Sequence, residues 1–385
     1  IKDSTATDNY VLTVDANGDA GWEAAAGGGG VSSDSQRNTV GGTNAGDSFS
    51  GTDPTDNTLF GYNAGTAITT ALYCTAVGSQ ALAANTTGVN NIAIGYTALT
   101  ASTTGHNNIG IGKDSLLGNT TGNYNTALGS FSLYANTTGD NNIAIGANSL
   151  QANTSGLQNV AVGKYSLKSN STGNNNTAVG YEAGKAITTG DDNTALGSDA
   201  LKALTTAHDC TAVGSDALKS LTTAYYNTAV GFAAGTALTT GWENSLLGYY
   251  ALRVATTAEK NVAIGYTAAT DATTASGGVY IGHEAATALS TGSYNTIVGK
   301  GCGHDITTGA YNTLLGYKAG SEGNTNKLTT GSNNLLLGHD AAPSSVSVSN
   351  EITLGDTAIT KFRIPGINFV IKDTTATDNY VLTVD

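Results

Sequence analysis

Residues Asn176–Asp192 read N-T-A-V-G-Y-E-A-G-K-A-I-T-T-G-D-D, and Asn193 begins the same pattern again. The opening pentad, Asn176–Gly180, returns upstream as NIAIG at Asn142–Gly146 and downstream as NTALG at Asn193–Gly197. From Gly61 to Gly316 its glycine recurs every 17 residues, sixteen times without a slip. An earlier copy, Asn38-Thr39-Val40-Gly41, precedes this run, and Gly338 and Gly355 come after a five-residue insertion around Ser321–Asn326. A fixed short period is the signature of a solenoid, whose units each contact only their neighbours. Seventeen residues cannot hold a helix pair, which takes 33 or more. They suit one coil of an all-β parallel β-roll or β-helix. At ~4.8 Å per coil, about nineteen coils form a rod roughly 90 Å long.

Let each unit be numbered in columns from its Asn. Columns 1 to 5 alternate as a short strand, with Thr or Ile and then Val, Ile or Leu on one face and Ala of column 3 on the other. Asn fills thirteen of the sixteen places in column 1, the exceptions being Cys74, Cys210 and Gly278. Stacked amides of this kind can bond above and below, as a ladder. Where column 9 is Gly, column 12 is large, as in Gly65 with Ile68 and Gly184 with Ile187; where column 9 is Leu, column 12 is often Asn, as in Leu82 with Asn85. Leu201 with Leu204 and Leu218 with Leu221 depart from this exchange. A shared volume predicts that the two columns meet inside the rod. Columns 13 to 15, T-T-G or T-T-A, read as turn chemistry: hydroxyls bonding local backbone, then a residue suited to positive φ. The small residues of column 3 let another backbone approach, so a partner chain could cover that face. With so thin a coil, this predicts an oligomeric fibre of three chains, intertwined or side by side.

The 385 residues include 51 Gly and no Met, with 16 basic against 29 acidic side chains, a formal net charge of −13. That balance excludes a nucleic-acid shaft, which needs clustered Lys and Arg. No apolar run approaches the ~20 residues of a membrane-spanning helix. The ends nearly repeat each other: IKDSTATDNYVLTVD at Ile1–Asp15 and IKDTTATDNYVLTVD at Ile371–Asp385 differ only at Ser4 against Thr374. Asn17-Gly18 after the first copy predicts a hairpin with a type I′ turn, and Gly27–Gly30 a flexible joint. The expected organisation is a hairpin collar and joint at 1–37, the shaft at 38–340, a capping β-segment at 341–370, and at 371–385 the start of a second copy in a protein of tandem modules. A fibre with two similar collars is the plainer alternative.

The pentads NIAIG, NVAVG and NTAVG, followed by A-L and T-T-G, resemble the head repeats of trimeric autotransporter adhesins. In wording they are closer to the NTAIG-type arrays of phage and bacterial tail-fibre-domain proteins. NEITLGDTAITKFRIPG at Asn350–Gly366 is similar to the segment on the C-terminal side of such arrays in tail fibres. The resemblance covers about residues 38 to 340. It implies a homotrimeric parallel β-roll, an extracellular place on a cell surface or virion, and a role in attachment or adhesion. Modules would join end to end.

Candidate site residues are few. The five His residues lack zinc-pair spacing, and no cofactor or metal is expected. Cys74 and Cys210 share column 1 eight coils apart, roughly 38 Å, too far to pair within one chain; Cys302 replaces an alanine of column 8. Asp199 and Asp216 of column 7 alternate with Lys202 and Lys219, a solvated ion-pair ladder rather than the acidic pair of a tailspike glycan hydrolase. Asp192 and Asp209, which share column 17 on adjacent coils, are a minor candidate for a calcium site. No catalytic set emerges, and the chain is not expected to be an enzyme. Tyr225 and Trp242 share column 16, with Tyr226 and Tyr249 nearby, and such rings could stack on a cell-surface glycan or a neighbouring fibre. The N-x-[ST] triplets at Asn85, Asn119, Asn136, Asn153 and Asn170 would be glycan acceptors along one edge of the rod. The Thr-Thr columns invite an ice-binding reading, but adjacent residues of a strand point to opposite faces. The reading that best unites these features is a stiff shaft in an extracellular fibre; a glycan-binding fibre is the alternative.

Overall fold

The computed structural model describes residues 10–14, 20–24, 31–50, 53–321 and 326–361. Two strands, β1 (Tyr10–Val14) and β2 (Ala20–Ala24), pair antiparallel with Val14 opposite Ala20. The Asn17-Gly18 turn, the Gly27–Gly30 joint and the second copy at Ile371–Asp385 lie outside the described residues. β3 (Val31–Ser33) then pairs antiparallel with β4 (Thr39–Gly41), and from there every connection is parallel. Three-residue strands follow at each coil up to β22 (Ile352–Leu354), giving a β-solenoid of about 18 coils, with no helix among the described residues. Each strand pairs in register with the equivalent residues 17 further on, as Thr177 with Thr194 and Ala178 with Ala195. The ladder continues across the insertion, where Thr313 pairs with Leu335. The first coil differs from the sequence reading by one place. Gly41 pairs with Phe60, and Gly42, at φ +117°, takes the position of the pentad glycine.

That glycine stands where the chain leaves the strand. Its φ lies near +130° to +145° through the run, and a Cβ on Gly180 would lie 2.5 Å from the Gly197 carbonyl oxygen of the next coil. Both the dihedral and the stacking exclude a side chain, which is why the period never slips.

Orientation of the strand reverses one expectation. The small column 3 residues do not await a partner: Ala93, Ala127, Ala144, Ala161, Ala178 and their equivalents are fully buried in the coil's own core. They meet the leucines of column 9, which are equally buried although Leu82, Leu116 and Leu150 sit at φ +54°, +51° and +47°. Each such left-handed residue costs about 1–2 kcal/mol, and burying a leucine returns about 1.5–3 kcal/mol. Columns 9 and 12 do meet inside the rod, and column 3 joins their exchange of volume. A Cβ on Gly65 would touch Ile68 and Leu59, and one on Gly303 would touch Ile297 and Ile306.

The rest of the core is polar and bonded. Asn142 shows the pattern: its Nδ2 donates to the Gly156 carbonyl (2.8 Å) and to Asn125 Oδ1 (3.2 Å), while its Oδ1 accepts from the Asn159 backbone N–H (3.0 Å). A second ladder runs beside it in column 12, where Asn136 Nδ2 donates to Asn119 Oδ1 (2.7 Å) and to the Gly139 carbonyl (3.0 Å). The column 15 carbonyl thus accepts from both ladders. This limits where T-T-A can stand. The column 15 glycines have no positive φ, so the expected reason for them is wrong; where column 12 is Asn, a Cβ would collide with its amide, as on Gly139 at 2.5 Å from both Asn136 Oδ1 and the Gly156 carbonyl oxygen. Alanine stands in column 15 only where column 12 is not Asn, as at Ala71 beside Ile68 and Ala207 beside Leu204. The first Thr of each turn also differs from expectation, since its hydroxyl bonds not locally but to the next coil, as Thr120 Oγ1 to the Thr137 carbonyl (3.0 Å).

The column 1 ladder is interrupted three times. At Cys74 and Cys210 the thiol still donates to the Gly88 and Ala224 carbonyls (3.3 Å each), but no oxygen remains for the next coil's N–H. At Gly278 the space is filled by Tyr280, fully buried in column 3, whose hydroxyl has no partner among the described residues. Gly278→Asn alone should therefore collide with that ring and destabilise by about 3 kcal/mol or more. With Tyr280→Ala added, the new amide would rejoin the ladder and stability should return to within about 1 kcal/mol of the parent. Urea melts of the two variants check this, and equal stability of the single and double variants would refute it.

Candidate functional site

The structure separates the four aromatic candidates into two groups. Tyr225 lies 4.4 Å from His208 with the ring planes tilted by 48°, and 6.3 Å from Tyr226. Trp242 is half-buried against the core, with Lys260 Nζ 4.5 Å from its ring centre. Tyr249 belongs elsewhere, to column 6 across the strand. There Phe232, Tyr249, Tyr266 and His283 form a continuous stack with centroids 5.4, 5.3 and 5.0 Å apart and planes 16°, 6° and 20° from parallel. Coils this close overlap the rings like shingles, so each face lies against the next ring and the edges meet solvent. A sugar that stacks on ring faces finds them occupied. The sequence signal for this stack was present, because the residue after each pentad glycine is aromatic on three consecutive coils, Phe232, Tyr249 and Tyr266.

The five sequon asparagines do not lie on an edge. Asn85, Asn119, Asn136, Asn153 and Asn170 are fully buried, and each Nδ2 donates to the glycine carbonyl three residues on, at 2.9 to 3.1 Å. The nitrogen that would carry a glycan is engaged in the core, and the expected edge position is corrected accordingly. It is the second Thr of each triplet, such as Thr121 and Thr138, that faces solvent.

The Asp and Lys columns interleave as an ion-pair zipper. Glu182 takes Lys185 (2.8 Å) and Lys202 (2.6 Å), Asp199 takes Lys202 and Lys219 (3.2 Å each), and Asp216 takes Lys219 (2.8 Å). The hydrogen bonds from Lys185 and Lys202 hold the Glu182 carboxyl down at about 2, so it stays ionised well into acid. Column 7 carboxylates are thus engaged by ammonium groups rather than paired for acid–base chemistry. Among the described residues no group of three or more His, Cys, Asp or Glu converges as a metal site, and no helix is long and apolar enough to cross a membrane.

Burial raises the thiols of Cys74 and Cys210 to about 11 and that of Cys302 to about 12. Thiolate is the reactive form, so these cysteines are inert in the fold. All three should resist an aromatic disulfide reagent at pH 8 and react within the mixing time in strong denaturant. Because their folded values lie above the ordinary thiol value, stability should also fall as pH rises from about 9 towards 11, where only the unfolded chain ionises.

One surface is regular over the whole rod. The outward side of the strands carries Thr, Ile or Val in column 2 and Val, Ile, Leu or Phe in column 4, on nearly every coil from Thr58 to Leu354. Val77, Ile94, Leu128, Ile145, Leu247 and Leu315 are among its exposed members. A shallow groove at its edge, lined by Tyr311, Thr313, Asn333, Leu335, Glu351 and Ile352, has a volume near 370 Å³.

Fold and surface together define a single-chain parallel β-solenoid with a sealed, hydrogen-bonded core and one uncharged apolar stripe. Comparison with known proteins finds no matching family model, no matching curated protein and no matching solved structure.

Proposed function

We propose that the chain is a structural shaft: a stiff, non-enzymatic spacer in an extracellular fibre, on a cell surface or virion, that holds attachment or adhesion elements away from their base. The observation that carries this reading is the unbroken ladder. Parallel pairing continues from Thr39 to Leu354 with its register intact even through the lengthened coil. Inside it, the column 1 Asn ladder on most coils, the column 12 ladder from Asn119 to Asn170 and the Thr hydroxyls add bonds between neighbouring coils. Bending such a rod means stretching several hydrogen bonds per coil at once, and protease access means opening them. Assembly of three chains, as the sequence resemblance implies, belongs to the same reading. Negative-stain microscopy and small-angle scattering test the shaft itself, whatever its chain number. A straight particle of roughly 90 Å is expected, with trypsin cleaving only near the ends. A compact or bent particle, or rapid cleavage within residues 53–321, would overturn it.

A further inference from the structure

We propose that the outward strand face, columns 2 and 4, is the surface on which this chain packs against parallel, in-register copies of itself. The proposal rests on the shaft reading and gives its assembly a location. That location is the opposite face of the strand from the one the alanines pointed to, since those alanines are sealed in the coil's own core.

Four observations carry it. First, the face is uncharged. Not one of the column 2 and column 4 positions from Thr58 to Leu354 is Asp, Glu, Lys or Arg, in a chain whose formal net charge is −13. Charges are placed freely in columns 6, 7, 10, 16 and 17 of the same coils, as at Lys113, Glu182, Lys202, Asp191 and Glu243. Second, column 4 carries a large aliphatic side chain outward on every coil from Val77 to Leu354, while column 2 alternates between Thr or Ser and Ile, Val or Leu. A sheet with one solvated side normally alternates apolar inside and polar outside; here alanine is inside, and Ile94, Ile145, Leu247 and Leu315 are outside and exposed. Third, the area is sufficient. A strip about 10 Å wide and 86 Å long covers roughly 900 Å², against the ~800 Å² that each partner contributes to a stable interface.

Fourth, the face is straight and periodic, and a partner must match it. A globular protein does not present a straight apolar strip of this length. A second copy has the same period, the same length and the same lack of charge. Column 2 runs Thr58, Thr75, Ile92, Ile109, Thr126, Ile143 at one end and ends in Thr313, Leu335, Ile352 at the other. Parallel copies in register set threonine against threonine and isoleucine against isoleucine. Antiparallel copies would set the leucine-rich end on the threonines. Rotation about an axis along the rod thus closes the face on itself, and the flanking columns 17 and 6, with their tyrosines, form the rim.

Light scattering and sedimentation of residues 1–385 over a concentration series are expected to give two or three chains per particle. Ile145→Lys combined with Val179→Lys places charge in the middle of the face. It should leave the circular dichroism of the coil unchanged, because both side chains already meet solvent in the single chain, and should weaken association at least ~100-fold. Val77→Cys should form an interchain disulfide on mild oxidation, as parallel, in-register copies allow; antiparallel copies overlapping along the whole rod would hold the two Val77 positions at opposite ends. A parent protein that stays monomeric, or a double variant that still associates, overturns the proposal. So does a Val77→Cys particle of two or three chains that does not cross-link. If the double variant does not fold, the cross-link alone decides. A monomer that is still a straight, full-length rod would refute the interface and leave the shaft intact. A multimer that is short or bent would do the reverse.

Discussion

Gly180→Ala is expected to destabilise the solenoid by about 3 kcal/mol or more. The alanine would have to hold φ +139°, in a region that costs an L residue about 1–3 kcal/mol. Its Cβ would also lie 2.5 Å from the Gly197 carbonyl oxygen, and the coil above, itself clamped by the next, cannot retreat without lengthening its own ladder bonds. A control separates this from glycine replacement in general. Gly190 lies in column 15, where the side chain beside it is Ile187 rather than Asn, and other coils already carry alanine there, as Ala207 does beside Leu204. A Cβ on Gly190 would still press on the Ala207 carbonyl oxygen of the next coil, but its φ is not positive, so Gly190→Ala lacks the conformational part of the cost and should destabilise less than Gly180→Ala, by about 1–2 kcal/mol. Gly139→Ala, with Asn136 Oδ1 2.5 Å from the new Cβ, should fall between, near 2 kcal/mol. Denaturant melts give the ranking, and a Gly180 variant no less stable than the Gly190 variant would show that the stacking of column 5 has been misjudged.

Asn142→Ala is the second large effect. It removes the acceptor of the Asn159 backbone N–H and one donor to the Gly156 carbonyl, and leaves a void between Asn125 and Asn159. Gly156 keeps its bond from Asn153 Nδ2 (3.1 Å) and Asn159 Nδ2 keeps its bond to the Gly173 carbonyl (2.8 Å), so one buried N–H is truly orphaned. The expected cost is about 2–4 kcal/mol, the orphaned donor and the cavity together. Asn142→Cys should cost about half as much, because the thiol fills more of the space and can donate to the Gly156 carbonyl as Cys74 and Cys210 do to theirs. The converse changes, Cys74→Asn and Cys210→Asn, should stabilise, since each supplies the missing acceptor. Exchange of the Asn159 amide hydrogen reads the local effect: it should speed up in the Ala and Cys variants alike, and protection equal to the parent would refute the assigned bond.

The period, the all-β class, the parallel stacking and the Asn ladder of column 1 could all be read from the chain. Each follows from repetition: identical residues at 17-residue steps must stack on one another, and an amide in such a stack bonds to its neighbours. The volume shared by columns 9 and 12 was legible for the same reason, because two columns that vary together must touch. The Asp and Lys columns likewise announced their pairing by their spacing.

What the sequence left open was which side of each column faces in. Alternation places columns 2 and 4 opposite column 3 but does not say which side is buried, and the larger residues would ordinarily claim the core. The tertiary structure decided otherwise, because the narrow coil has already filled its interior with Leu82, Leu116 and their equivalents and with two rows of asparagine, leaving room for little more than a methyl group at Ala93 or Ala178. The same geometry drew Asn85 and its four counterparts inside, where a triplet read along the chain had placed them on an edge. It parted Tyr249 from Trp242, because residues seven apart in the chain lie on two sides of one strand. Repetition in the sequence determined that there is a rod and how its coils stack; the limited width of that rod, a packing property of the closed coil, decided which residues it hides and which it shows.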